Sequence, residues 1–123
     1  SEIYSALDQI DEIKDSLIID LNIENSAKLI LFISSISDVN SKIKKRIKNT
    51  LKTQCSPRHI PNLIFGVKEI PYTISGKKME IPVKKIMDGN KIEDAISKGA
   101  MKNPDCLNEF IDIKNQYLKS PVR

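Results

Sequence analysis

The chain reads as an α+β protein, a small and mostly antiparallel sheet of about three strands covered by helices. Three observations predict this. Apolar residues recur at helical spacing at the N-terminus and again through a lysine-rich central stretch. Three short aliphatic runs, Leu17–Leu21, Leu29–Ile33 and Leu63–Val67, have the length and the β-branched content of strands. These patterns follow one another as α-β-β-α-β-loop-α, with no internal repeat and no low-complexity tract. At 123 residues and 40% hydrophobic content the chain can close one core without disulfides or metal, and is not a disordered polyelectrolyte. Aromatics are 5% and tryptophan is absent, so that core is built mainly of Ile, Leu and Val. No apolar run approaches the ~18 residues of a membrane span.

Ile3, Ala6, Leu7, Ile10 and Ile13 predict an amphipathic helix over 2–13. It is acidic and lacks the basic and apolar regions of a signal peptide. The chain opens on Ser1, which reads as a processed or excised piece. The polar stretch Asn22–Ser26 joins the first two strands as a hairpin turn. Ser37–Ser41 supplies N-cap candidates for the next helix, whose stripe is Ile43, Ile47 and Leu51 and which ends near Gln54 because Pro57 follows. After the third strand, residues 68–78 read as loop, with Pro71, Thr73, Ser75 and Gly76 all favouring turns. Met79–Ile81 reads as a short extended piece. Pro82 then sits at the first position of a helix that buries Val83, Ile86 and Met87 and is capped at Asp88-Gly89. Asn103-Pro104-Asp105 reads as an N-cap and N1 proline before a last helix through Leu107, Phe110 and Ile111, and 119–123 as a loose tail.

Lysine and arginine number 20 against 16 acids, a net charge of +4. The excess is local: Lys42, Lys44, Lys45, Arg46, Lys48 and Lys52 lie on the central helix with no acid among them. Three readings compete for this face: a solvated surface, a docking surface for a phosphate-bearing ligand, and a nucleic-acid surface. The last lacks an aromatic platform, and Arg46 is its only arginine. Cys55 and Cys106 have no motif spacing and read as reduced thiols; with the single His59 they make no zinc site. His59 has no visible triad partner.

The strongest chemical signal is Pro71-Tyr72-Thr73-Ile74-Ser75-Gly76-Lys77-Lys78. A glycine beside a lysine in a turn can offer an ammonium and backbone N–H groups to phosphate. It is not a Walker A loop, which needs glycine at Pro71 and Ser or Thr at Lys78. On spacing alone a plain surface turn remains the competing reading.

That stretch, together with Ser56-Pro-Arg-His-Ile-Pro61 before it and Glu80-Ile-Pro-Val-Lys-Lys-Ile86 after it, resembles the C-terminal domain of adenylate-forming acyl-CoA synthetases. The P-x-T-x-S-G-K portion is common to that superfamily. The S-P-R-H-x-P lead-in, the doubled lysine and Asn103-Pro104-Asp105 are most similar to its acetoacetyl-CoA synthetase branch. The resemblance covers roughly residues 1–115, which makes 1–118 one C-terminal domain.

The resemblance implies a two-step acid–thiol ligase. ATP and a short oxo-acid, acetoacetate, give an acyl-adenylate and pyrophosphate; coenzyme A then displaces AMP. It implies Lys77 as the catalytic lysine of the first step, with Lys78 as fallback, and Gly76 as the residue that brings the turn to the ligand. Thr73 and Ser75 read as turn-formers rather than ligand contacts. Lys52 stands where the family often has a basic residue for coenzyme A phosphates. Arg58 either meets a ligand or the large domain, or braces its loop. Mg2+ comes with ATP and is held mainly by a large N-terminal domain, the expected partner, which also contains the acid pocket. The chain therefore carries Lys77 without a complete active site and is expected to be inactive alone. The implied setting is cytoplasmic, in lipid and ketone-body metabolism, without membrane or nucleic-acid partners. The alternatives are another short-chain acyl-CoA synthetase or adenylation domain, and a basic anion- or nucleic-acid-binding module.

Overall fold

The computed structural model describes residues 2–118; the tail expected over 119–123 lies outside the described residues. In chain order the elements are α1 (Glu2–Leu7), β1 (Ile13–Ile23), β2 (Ser26–Ser35), α2 (Ser41–Gln54), β3 (Leu63–Gly66), α3 (Glu80–Met87), α4 (Ile92–Ala95) and α5 (Leu107–Tyr117). Strand order is β1-β2-β3, with β1 antiparallel and β3 parallel to β2, so the sheet is mixed. β1 and β2 join through Glu24 and Asn25, whose φ of 52° and 64° are the left-handed pair that a tight, twisted hairpin requires. β3 can run parallel because α2 carries the chain back along the sheet before it pairs.

β2 is the centre of the protein. Ile30, Leu31, Phe32 and Ile33 are each 0% exposed, which only a strand covered on both faces achieves. Leu31, Ile33 and Ile64 pack against Leu7, Ile10 and the Ile43-Ile47-Leu51 stripe of α2. Ile30 and Phe32, with Leu17, Ile19 and Leu21, pack against Val83 and Met87 of α3 and Phe110 and Ile113 of α5. A smaller cluster of Met79, Ile86, Ile96, Met101 and Leu107 fastens the C-terminal segments to α3. The α2 stripe, its Asn40 N-cap (the side chain accepts from Ile43 N at 3.1 Å) and its end at Gln54 agree with the sequence reading.

Four local expectations change. The first helix ends at Leu7, not 13, because Gln9 N bonds Ala6 O and Ile10 N bonds Leu7 O in a tightened turn. Ile13 still reaches the α2 side, but from the strand. A bulge pairs Ile13 with Ser35 and Asp15 with Ser34, leaving Lys14 as the extra residue. Without it Ile13 would share the face of Asp15 and Leu17. Met79–Ile81 is not extended: α3 begins at Glu80, and Pro82 occupies its third position, where the missing N–H is still one the helix cannot use. Asn103 precedes a 3-10 turn, Pro104–Cys106, but makes no side-chain cap; its amide has another use, described below. The short α4 and a 3-10 turn at Lys98–Ala100 carry too little periodicity to be seen in sequence.

The Phe32 ring lies 4.8 Å from that of Phe110 and 5.8 Å from that of Phe65. Phe32→Ala should cost about 3–5 kcal/mol of folding stability, read as a lowered denaturant midpoint at unchanged m.

Candidate functional site

The turn that carries Lys77 is closed by its own backbone. Thr73 N donates to Lys77 O at 2.9 Å, Gly76 N to Thr73 O at 2.9 Å, and Lys77 N to Thr73 Oγ1 at 3.0 Å. Thr73 and Ser75 hydroxyls lie 3.0 Å apart, so both are spent within the turn. Gly76 has φ 90°, a conformation that side-chain-bearing residues rarely adopt, whereas a Cβ there would meet nothing within 4 Å. The glycine is therefore needed for backbone geometry, and the space above it is open. Ile74, Ser75, Gly76 and Lys77 are all exposed. Among the described residues the Lys77 ammonium has no recorded hydrogen-bond or ion-pair partner, as a side chain free to meet a ligand would.

Lys78 is used differently. Its Nζ donates to Ser16 O at 2.6 Å, stands 3.4 Å from Asp15 Oδ1 and lies 3.7 Å above the Tyr4 ring. At 24% side-chain exposure it is an anchor to β1, not a second free ammonium. On the other side of the turn, Tyr72 donates its hydroxyl to Asp15 Oδ2 at 2.6 Å. Tyr4 donates its hydroxyl to Glu80 and accepts from Ile18 N, binding α1 and the start of α3 to the same strand edge. The far side is held by Asn103, whose Oδ1 accepts from Tyr72 N and whose Nδ2 donates to Ile70 O and Glu69. Ile74 N also bonds Ala100 O, and Lys102 N bonds Tyr72 O.

The sequence reading passes over Asp15 and Tyr4, and it names Tyr72 and Asn103 without their supporting roles at this turn. A signal existed for the first: Asp15 shares the parity of Leu17, Ile19 and Leu21, and a carboxylate in a core-facing series needs a partner. Burial raises the phenol pKa of Tyr4 and, with the Asp15 hydrogen bond second, that of Tyr72.

The other expected site residues lie elsewhere. Lys52 is exposed in the last turn of α2, across the sheet from α3. Arg58 is exposed in the 3-10 turn Pro57–His59 that follows. Ser56 caps that turn by accepting from Arg58 N at 3.2 Å, and its hydroxyl is 2.7 Å from His59 Nδ1, so His59 is engaged locally. Lys52 and Arg58 thus lie on successive elements, α2 and the 3-10 turn after it, and Gly76 and Lys77 share one turn. Arg46 pairs with Glu12 at 2.5 Å, removing the one arginine from the basic face. Cys55 and Cys106 are free thiols, and burial, aided by Glu69 and Glu109, pushes Cys106 up to about 11. Among the described residues no cluster of three or more His, Cys, Asp or Glu could hold a metal ion. No described helix is long and apolar enough to cross a membrane. A polar cleft of about 530 Å3 at the ends of β2 and β3, lined by Lys14, Ser35, Asp38 and Lys68, contains none of these site residues.

No family model matches the chain. Curated relatives do. The acetoacetyl-CoA synthetase of Gallus gallus is 37% identical over 116 residues, which cover 92% of this chain and 17% of the relative. Acetoacetyl-coenzyme A synthetase of Rhizobium meliloti (strain 1021) is 32% identical over 116 residues, 93% of this chain and again 17% of the relative. Among solved structures, acetoacetyl-CoA synthetase from Streptomyces lividans superposes with a TM-score of 0.79 at 31% identity, over 93% of this chain and 17% of that one. A benzoate CoA ligase from Burkholderia xenovorans LB400 shares the fold, with a TM-score of 0.58 at 20% identity over 63% of this chain. The chain therefore spans about a sixth of the length of the relatives it matches.

A tyrosine pKa raised by folding means that the folded state holds the phenol proton more tightly than the unfolded one. The stability so contributed is complete below about pH 10, the ordinary phenol value, and is lost as pH climbs above it. Thermal midpoints measured from pH 8 to 11 should fall at the alkaline end, and Tyr72→Phe should flatten part of that fall. An unchanged slope in the variant would show that Tyr72 does not contribute.

Proposed function

We propose, for a chain whose sequence and fold are those of the C-terminal domain of an acetoacetyl-CoA synthetase, that it serves the adenylation and thioester steps of such a ligase within a longer protein. Residues 1–118 form the domain, and the partner is the large N-terminal part present in the relatives. The observation that carries this reading is the turn itself: a lysine left free and exposed, directly after a left-handed glycine, with the next lysine tied down to the sheet.

In the first step a carboxylate oxygen of acetoacetate attacks the α-phosphorus of ATP and pyrophosphate leaves. Negative charge grows on the phosphate oxygens, and the Lys77 ammonium, a compact charge on a long stem, can approach both reactants and offset it. Gly76 lets the backbone take the sharp path that presents Lys77, and Thr73 holds that path closed. In the second step the coenzyme A thiol attacks the acyl carbon and AMP leaves. Lys52, on the other side of the sheet, would then meet a phosphate of coenzyme A, with Arg58 beside it at the ligand or the large domain. The two groups lie on different sides of the domain, which suits two steps served in turn. Mg2+ would enter with ATP, held by the larger part. The acid pocket would lie there too, so acetoacetate is assigned from the relatives' names. The rest of the α2 lysines form a solvated face rather than a nucleic-acid surface. The reading places the enzyme in the cytoplasm, where acetoacetyl-CoA feeds lipid and ketone-body metabolism.

In the whole ligase, Lys77→Ala should slow adenylate formation, followed as ATP–pyrophosphate exchange, by about 10²–10³-fold. Transfer from supplied acyl-adenylate to coenzyme A should be largely spared; equal losses in both half-reactions would assign Lys77 to structure. Residues 1–123 alone, having neither ATP nor acid site, should release no pyrophosphate from ATP and acetoacetate. Lys52→Glu should raise KM for coenzyme A and leave that for ATP unchanged; an unmoved coenzyme A value would leave Lys52 on the solvated face.

A further inference from the structure

We propose that Asp15 is a positioning residue for the Lys77 turn, gripping it at both ends with one carboxylate. This rests on the reading of Lys77 given above. Oδ2 accepts from the Tyr72 hydroxyl at 2.6 Å, immediately before the turn. Oδ1 lies 3.4 Å from Lys78 Nζ, immediately after it, and accepts from Ser16 N at 2.8 Å. The Ser16 N–H fixes the carboxylate on β1, so the turn, closed by its own backbone, is also referenced to the sheet. Between the grips, residues 74–77 are exposed and leave the Lys77 side chain unhindered. The bulge at Lys14 contributes, because Asp15 faces α3 while Ile13 stays on the α2 side.

The two grips are not equally backed. Lys78 keeps Ser16 O at 2.6 Å and the Tyr4 ring if the carboxylate is lost. The Tyr72 hydroxyl has no other recorded partner, so the side-chain link from the leading end of the turn to β1 depends on Asp15, while the Tyr72 backbone stays bonded to Asn103 and Lys102. A charge used to stabilise a transition state must be held to within about half an ångström, and a displacement near 1 Å can cost about 10²-fold in rate. Asp15 acts on the reaction through the placement of Lys77, without touching substrate.

The test uses the full-length ligase with Asp15→Ala, Asp15→Asn, Tyr72→Phe and Lys77→Ala. Asp15→Ala should lower kcat of ATP–pyrophosphate exchange by about 10–100-fold. KM for ATP and transfer from supplied acetoacetyl-adenylate to coenzyme A should stay within about twofold of wild type. Hydrogen exchange at the Gly76 and Lys77 amides should speed up about tenfold or more. Asp15→Asn, whose amide oxygen still accepts from Tyr72, should restore most of the exchange rate. Tyr72→Phe should give a smaller loss of the same kind, not additive with Asp15→Ala. Equal losses in both half-reactions, or full adenylation by Asp15→Ala where Lys77→Ala collapses, would overturn the proposal. Should Asp15→Ala not fold, Tyr72→Phe with full adenylation and unchanged amide exchange would overturn it equally. If Lys77→Ala proves harmless, the reading of Lys77 falls separately, and amide protection alone decides the clamp: unchanged protection in Asp15→Ala refutes it.

Discussion

β2 has to be hidden on both faces, and most of the architecture answers that requirement. Four successive residues with large apolar side chains cannot be satisfied by a sheet open on one side, so helices must come from both directions. α1 and α2 cover one face with an aliphatic stripe, and α3 and α5 cover the other around the Phe32–Phe110 contact. The backbone of β2 is satisfied by β1 on one side and β3 on the other. With both faces taken, exposed charged side chains are left to turns and helix ends, and the proposed site residues Lys77, Lys52 and Arg58 lie there.

The candidate site therefore divides into a free charge and a large supporting apparatus. Lys77 owes its freedom to neighbours that are bound: Lys78 on the sheet edge, Tyr72 on Asp15, Thr73 within the turn, and Asn103 bracing the opposite side. The support is drawn from α1, β1, α3 and the segment before α5, so it exists only after the chain has closed. The C-terminal region, which adds little to the sheet, contributes here through Asn103, Ala100 and Lys102.

Much of this was legible in the sequence wherever a periodic signal was long or a turn residue was obligatory. The α2 stripe, its Asn40 cap, the hairpin and the Gly76 turn all fall in that class. The first helix misled because Ile10 and Ile13 keep helical spacing while the chain has already turned, and the bulge delivers Ile13 to the same core from a strand. Pro82 fits an N1 position as well as the third, so its place in the sequence does not fix where α3 starts. The Lys77 turn was legible as a motif; its clamp was not, since Asp15 and Tyr72 are 57 positions apart and the parity that flags Asp15 as needing a partner does not say which partner it takes. The family resemblance puts Lys77 ahead of Lys78; the fold adds that the two differ in surroundings, Lys78 tied to β1 and Lys77 exposed.

The contacts at the β1 edge have one more effect, which concerns aggregation. A sheet of three strands has two open edges, each a template on which another chain's strand could add. On β1 two of the outward groups are already occupied: the Ile18 N–H by the Tyr4 hydroxyl and the Ser16 carbonyl by the Lys78 ammonium. β3 is guarded instead by brevity, offering only Leu63–Gly66. The side chains that steady the lysine turn thus also interrupt the longer edge between Ser16 and Ile18, where an added strand would have to displace them to pair.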